Sequence, residues 1–124
     1  METKQTAYNK RSVGASHEEL AADYLKREGY KILCMNFRSY FGEIDIVAMD
    51  GDVLVFCEVK YRSRAAAGAP WEAVNIRKQE RICRTADFYR LRFGVRNDVQ
   101  IRFDVVAILG GKLFLFRNAF FYRG

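Results

Sequence analysis

The chain predicts a single α/β domain: a mixed β-sheet with helices packed against both faces. Three observations predict it. Two segments carry helical start and stop signals around apolar residues at helical spacing, and five shorter runs are rich in β-branched and aromatic residues. The longer helical segment falls between the third and fourth of those runs, which permits a right-handed parallel crossover, while tight turns elsewhere join antiparallel neighbours. The element order is αβββαββ.

The first helix is fixed by Ser16 and Glu19, an S-x-x-E capping box, and is stopped by Gly29, so it runs from about His17 to Glu28. Its apolar stripe holds Leu20, Ala21, Ala22, Tyr24 and Leu25. Strands follow near Lys31–Phe37, Glu43–Met49 and Val53–Tyr61, the last two joined by Asp50-Gly51-Asp52. The small, basic stretch Arg62–Ala69 reads as a mobile loop leading to Pro70 and the first turn of a short helix. Asn75 then caps a longer helix, Ile76 to about Arg92, with Ile76, Ile82, Cys83, Ala86, Tyr89 and Phe93 on its inner face. Strands Ile101–Leu109 and Lys112–Phe120 turn around Gly110-Gly111. Parity puts Ile44 and Ile46 on one side and Val47, Leu54 and Phe56 on the other, so both faces of the sheet require cover.

At 124 residues, half of them hydrophobic, the chain buries a core without covalent staples. Residues 1–13 lack apolar period and read as a flexible basic arm, leaving 14–124 as the domain. The longest apolar stretch, Val105–Phe116, is interrupted at Gly110, Gly111 and Lys112 and falls short of the roughly 18 residues a span needs. With no apolar leader either, the expectation is a soluble cytoplasmic protein. Cys34, Cys57 and Cys83 sit among apolar neighbours and read as reduced core thiols. The net charge of +6 and pI near 9.4 favour a polyanionic partner such as nucleic acid.

The chemistry concentrates on two neighbouring strands. Strand parity aligns Asp45 with Glu43, Val47 and Met49, and Glu58 with Leu54, Phe56 and Lys60. If Gly51-Asp52 is the hairpin loop, Asp45 stands opposite Glu58; if Asp50-Gly51 is, the two lie on a diagonal of the same face. Converged carboxylates repel unless a proton or cation intervenes, and Mg²⁺ or Mn²⁺ would resolve the conflict. Lys60 then brings an ammonium to an attacking water, as in-line phosphodiester hydrolysis requires. A D-x12-E-x-K string is weak by itself, and Glu2-Thr3-Lys4 shows how readily acid-x-Lys arises. Its placement within an apolar strand, where unpaired charge is costly, raises it. The plain alternative is a salt bridge from Lys60 to Glu58 or Asp45.

Glu18 points along the inner stripe of the first helix, as a third acidic ligand, direct or through water, or as a carboxylate held by the helix dipole. Gln79 lies on the inner stripe of the longer helix, with Lys78 rotated toward its basic side; one of them is a candidate for phosphate or the attacking water. Arg77, Arg81 and Arg84 at i, i+4 and i+7, with Arg62 and Arg64 after the third strand, make a basic rim for a phosphate backbone. The lone His17 is assigned no role, and Asp104 reads as a structural ion pair with Arg102. The aromatic stretches Leu113–Phe116 and Phe120–Tyr122 are either core or the cover for a homodimer partner.

These residues fall in a longer pattern: Glu18-Glu19-Leu20-Ala21 with Tyr24-Leu25, Gly29–Leu33 with Asn36-Phe37-Arg38, Gly42–Ala48, Phe56–Arg62, Lys78 with Ala86, Arg102–Val106 and Asn118-Ala119-Phe120. In this the chain resembles the YraN-like family of small bacterial proteins, itself similar to Holliday-junction resolvases of the restriction-endonuclease-like superfamily. The resemblance, over about Gly14–Phe121, implies a three-layer α/β/α restriction-endonuclease-like fold. It also implies Asp45 and Glu58 as metal ligands, the Val59 carbonyl as a further ligand, Lys60 as the catalytic lysine and Glu18 as the first-helix acid. His17 departs from a usual Gly and Cys57 from a usual Val, which bears on substrate geometry rather than chemistry. The expectation is a Mg²⁺-dependent endonuclease, with DNA favoured over RNA and branched or damaged forms as candidates. The rivals are a nucleic-acid-binding module that keeps the fold without cutting, and a purely structural interaction protein.

Overall fold

The computed structural model describes residues 2–7, 16–62 and 74–124. Its elements are β1 (Glu2–Ala7), α1 (His17–Arg27), β2 (Lys31–Ser39), β3 (Gly42–Asp50), β4 (Val53–Arg62), α2 (Ile76–Arg92), β5 (Ile101–Leu109) and β6 (Lys112–Phe120). The loop and short helix expected around Pro70, together with Arg64, lie outside the described residues.

From Ser16 onward the order is αβββαββ, as the periodicities predict. Both helix starts follow from their caps: Ser16 Oγ accepts the Glu19 amide at 3.1 Å, and Asn75 Oδ1 accepts the Lys78 amide at 2.9 Å. The sheet runs β1-β6-β5-β4-β3-β2. Among the described strands β4 and β5 alone are parallel neighbours, with α2 between them in the chain; the other neighbours are antiparallel.

The expectation of a flexible arm over residues 1–13 is corrected at Glu2–Ala7. This segment pairs with β6 from Glu2–Arg117 to Ala7–Lys112. Backbone pairing onto an open sheet edge requires no apolar period, so the side-chain pattern carried no trace of it.

Each face of the sheet has its own core. Under α1, Leu20, Tyr24 and Leu25 meet Ile46, Ala48, Val55, Cys57, Val106 and Ile108. Under α2, Ile82, Cys83, Ala86 and Tyr89 meet Val47, Leu54, Phe56, Phe103 and Val105, whereas Ile76 and Phe93, expected inward at the two ends of the helix, are exposed. These two clusters make the three α/β/α layers. Leu25 is fully buried, and its truncation to Ala would cost about 2–5 kcal/mol. Leu113, Leu115 and Phe116 are core, whereas Phe121 is exposed. The cysteines are free, with Cys57 and Cys83 buried. No helix among the described residues is long and apolar enough to cross a membrane.

Candidate functional site

The β3–β4 hairpin closes Asp50 onto Val53, so Gly51-Asp52 is the loop. Continued down the ladder, this register sets Asp45 opposite Glu58. The regular pairing stops one step short, at Ile46–Cys57, and the Val59 amide beyond it donates to Asp45 Oδ2 at 2.8 Å.

Strict alternation fails here. Ile46 packs under α1, but Ile44 joins Phe37 and Val47 under α2, although parity assigned Ile44 and Ile46 to one side. A matching irregularity lies across the sheet. Asn36 has φ 52° and falls between the pairs Met35–Ile46 and Phe37–Ile44, opposite Asp45. A left-handed residue reverses the side-chain sequence locally, and Asn tolerates it better than most. Asp45 therefore stands where the strands splay, and it feels both Glu58 and the first-helix Glu18.

The two carboxylates are held against one another. Burial, followed by hydrogen bonding and charge repulsion from Glu58, raises the Asp45 carboxyl to about 8. Glu58 is the more deeply placed, its side chain 4% exposed. Lys78 Nζ stands 2.6 Å from Glu58 Oε2 and Lys60 Nζ 3.8 Å from the same oxygen. The close Lys78 approach lacks the direction of a hydrogen bond, and Glu58 Oε2 has no hydrogen-bond partner. This buried oxygen is balanced by charge alone, a costly arrangement that a hard cation would relieve.

The two lysines are driven apart. Burial, and then the neighbouring Lys78, hold Lys60 below the usual lysine range. Burial acts on Lys78 in the same sense but is outweighed by the Glu58 carboxylate beside it, so Lys78 stays firmly charged. Lys78 is the residue sequence reasoning misplaced: it points at the carboxylates, not to the basic side. Gln79 is committed elsewhere, donating to the Val74 carbonyl at 2.9 Å and accepting from Arg123 Nε at 3.0 Å. Helical periodicity gives a helix its faces, but the helix's rotation over the sheet decides which first-turn residue reaches the site.

An open cleft of about 310 Å³ exposes this group, walled by Gly42, Glu43, Asp45, Glu58, Lys78, Arg81 and Ile82. Arg81 is thus part of the site, while Arg77 and Arg84 lie exposed along α2. Arg62 is exposed at the end of β4, its Nη1 donating to the Tyr61 carbonyl at 3.2 Å. Lys60 lies close enough to feel its charge. His17 stacks on Tyr61, ring centroids 3.8 Å apart. Asp45 and Glu58 are the residues able to hold a metal. Among the described residues no three His, Cys, Asp or Glu side chains gather into one ligand cluster, while Glu18 is near enough to act on the Asp45 carboxyl. Two carboxylates suit Mg²⁺, which keeps much of its water.

Asp104 belongs to a separate structural network under α1. Fully buried, it accepts from Tyr30 Oη at 2.7 Å, Arg102 Nε at 2.8 Å and the Asn118 amide at 2.9 Å, and Arg102 continues to Asp50 at 2.8 Å.

Residues 17–108 match the sequence model of the uncharacterised protein family UPF0102. A UPF0102 protein of Lachnoclostridium phytofermentans is 46% identical over 112 residues, covering 90% of this chain and 95% of its own. A Clostridium botulinum relative is 44% identical over 102 residues, covering 82% and 83%. One from Persephonella marina is 40% identical over 107 residues, covering 86% and 91%. The match spans the splayed β3–β4 strands and both helices that face them, and the chain belongs to UPF0102, the YraN family.

Proposed function

We propose that the protein is a Mg²⁺-dependent endonuclease that hydrolyses phosphodiester bonds in DNA. The observation that carries the reading is the convergence of Asp45 and Glu58 at the open end of the β3–β4 ladder, with Lys60 and Lys78 on the same buried oxygen. Asp45 and Glu58 would hold the metal, with the Val59 carbonyl and a water-bridged Glu18 completing the proposed set. When bound, Mg²⁺ supplies Lewis acidity to the phosphoryl oxygens.

The chain's own groups do the rest. Lys60, whose Nζ lies 3.8 Å from Glu58 Oε2, orients the attacking water, and its ammonium favours release of the water's proton to solvent. Lys78 keeps its charge and offsets the negative charge that builds on phosphorus. Arg81 in the cleft wall positions the phosphate, with Arg62, Arg77 and Arg84 contributing longer-range attraction.

A second reading has its own support. Lys78 already balances Glu58 at 2.6 Å, which suits a nucleic-acid-binding module that keeps the fold without cutting. Calorimetric titration with Mn²⁺ tests the carboxylate pair. Binding that Asp45→Asn with Glu58→Gln abolishes supports the metal site, and equal binding by both proteins overturns it. Incubation with single-stranded, duplex and branched DNA, and with RNA, separates the readings: salt-sensitive binding with no metal-dependent cutting favours the module.

A further inference from the structure

The β2–β3 hairpin carries a feature that its own turn does not call for. Ser39 pairs with Gly42, leaving Tyr40-Phe41 as the two-residue loop. Such loops favour Asn, Asp and Gly, because left-handed backbone there matches the twist of the strands. Neither Tyr40 nor Phe41 takes a positive φ, and the unusual backbone falls instead on Gly42, φ 154°. The aromatics gain little from burial either: Tyr40 is 97% exposed and Phe41 46%. Two large apolar rings occupy positions where local rules and burial both argue against them, and such conflicts concentrate at functional sites.

The tip is exposed but held. Ser39 Oγ accepts the Phe41 amide at 3.0 Å and donates to Thr85 Oγ1 of α2 at 3.2 Å. Thr85 is fully buried. A Cβ on Gly42 would lie 3.6 Å from both Arg81 Cβ and Thr85 Oγ1, so the hairpin rests closely on α2. Arg38 Nε meets Glu43 Oε2 at 2.9 Å across the base of the turn. The Tyr40 and Phe41 rings sit edge to face, centroids 5.6 Å apart. Gly42 and Glu43, which follow directly, are walls of the cleft that holds Asp45, Glu58 and Arg81. An aromatic tip held against α2 thus adjoins the cleft in which Lys78 and Arg81 stand beside the carboxylates.

Resting on the nucleic-acid reading above, we propose that Tyr40 and Phe41 stack on an unpaired base of the strand whose phosphate enters the cleft. The hairpin thereby selects substrates with an unstacked nucleotide beside the reacting phosphate. Every base has a π-face, so the contact is indifferent to sequence, but bases inside a duplex already spend theirs on their neighbours. Because the tip is anchored before binding, little ordering entropy opposes the contact.

The test measures binding by the full chain without divalent metal. The probes are labelled single-stranded DNA, a perfect duplex and a duplex with an unpaired gap, with 2-aminopurine in the unpaired region reporting stacking. The wild type is expected to prefer the unpaired forms and to quench the probe. Tyr40→Ala with Phe41→Ala should weaken binding to those forms by about 5- to 150-fold, the range for a single stacked base, and leave duplex affinity and melting temperature unchanged. Tyr40→Trp beside Phe41→Ala should restore the preference. Equal loss on all three DNAs, loss on none, or a dimer that the double substitution dissociates would each overturn the proposal, the last by making the tip a protein contact. Cutting decides the other reading separately. A protein that cuts paired and unpaired DNA alike, before and after substitution, keeps the nuclease and loses the stacking tip. One that prefers unpaired bases through Tyr40 without ever cutting does the reverse, and one that binds no nucleic acid loses both.

Discussion

Replacing Asp45 with Asn should make the protein more stable at alkaline pH, although it removes a residue of the candidate site. Burial and the Glu58 carboxylate lift the Asp45 carboxyl from an ordinary 3.8 to about 8. The folded state therefore holds a proton that the unfolded chain releases near pH 4. Stability from this group is full below that point and is lost as pH rises toward about 8. At roughly 1.4 kcal/mol per unit the ceiling is about 6 kcal/mol. Solvent reaching the half-buried carboxyl and the ammonium groups of Lys60 and Lys78 screen that to ~1–3 kcal/mol. Asn keeps an oxygen to accept the Val59 amide, so the backbone contact survives while the repulsion goes. For a domain of this size the melting temperature at pH 8.5 should rise by about 3–10 °C, with little change at pH 4. Calorimetric melts of both proteins from pH 4 to 9 would measure it. A uniform loss of stability across that range would refute the raised Asp45 carboxyl.

Other outcomes follow from the same geometry. Arg77→Ala, Arg81→Ala and Arg84→Ala together should flatten the slope of log affinity against log salt by up to about 3, one per phosphate contact, in fluorescence titrations; an unchanged slope moves the binding surface off α2. Asp104→Ala should cost about 3–5 kcal/mol in chemical denaturation, because Arg102 and Tyr30 lose their buried partner, while Mn²⁺ affinity of the folded protein stays as in the wild type. Lys78→Met should raise the Asp45 carboxyl further and steepen the fall of melting temperature between pH 5 and 8, since Glu58 loses the ammonium at 2.6 Å.

Much of this was legible in the sequence, and what was not fails for definite reasons. Ser16 and Asn75 announced both helix starts because caps are local chemistry, satisfied within three residues. Asp45 and Glu58 could be brought together from the length of a single turn, since hairpin register propagates along both strands. Parity then failed at Ile44, beside an irregular stretch of both strands where Asn36 is left-handed, a tertiary feature that alternation on one strand does not carry. The choice of Lys78 over Gln79 depended on the seating of α2 over the sheet, a tertiary quantity that periodicity leaves free. The pairing of Glu2–Ala7 with β6 uses backbone groups that every residue carries, so no side-chain pattern marked it.

The most direct measurement is single-turnover cutting of labelled single-stranded, duplex and branched DNA in Mg²⁺, by wild type and Lys60→Ala side by side. The account predicts metal-dependent cleavage by the wild type. It predicts a loss of about 10²- to 10³-fold for Lys60→Ala, the scale of one electrostatic group, with Mn²⁺ and DNA affinity nearly unchanged. Cleavage that survives Lys60→Ala at the wild-type rate, or a wild type that binds metal and DNA and cuts nothing, would contradict it.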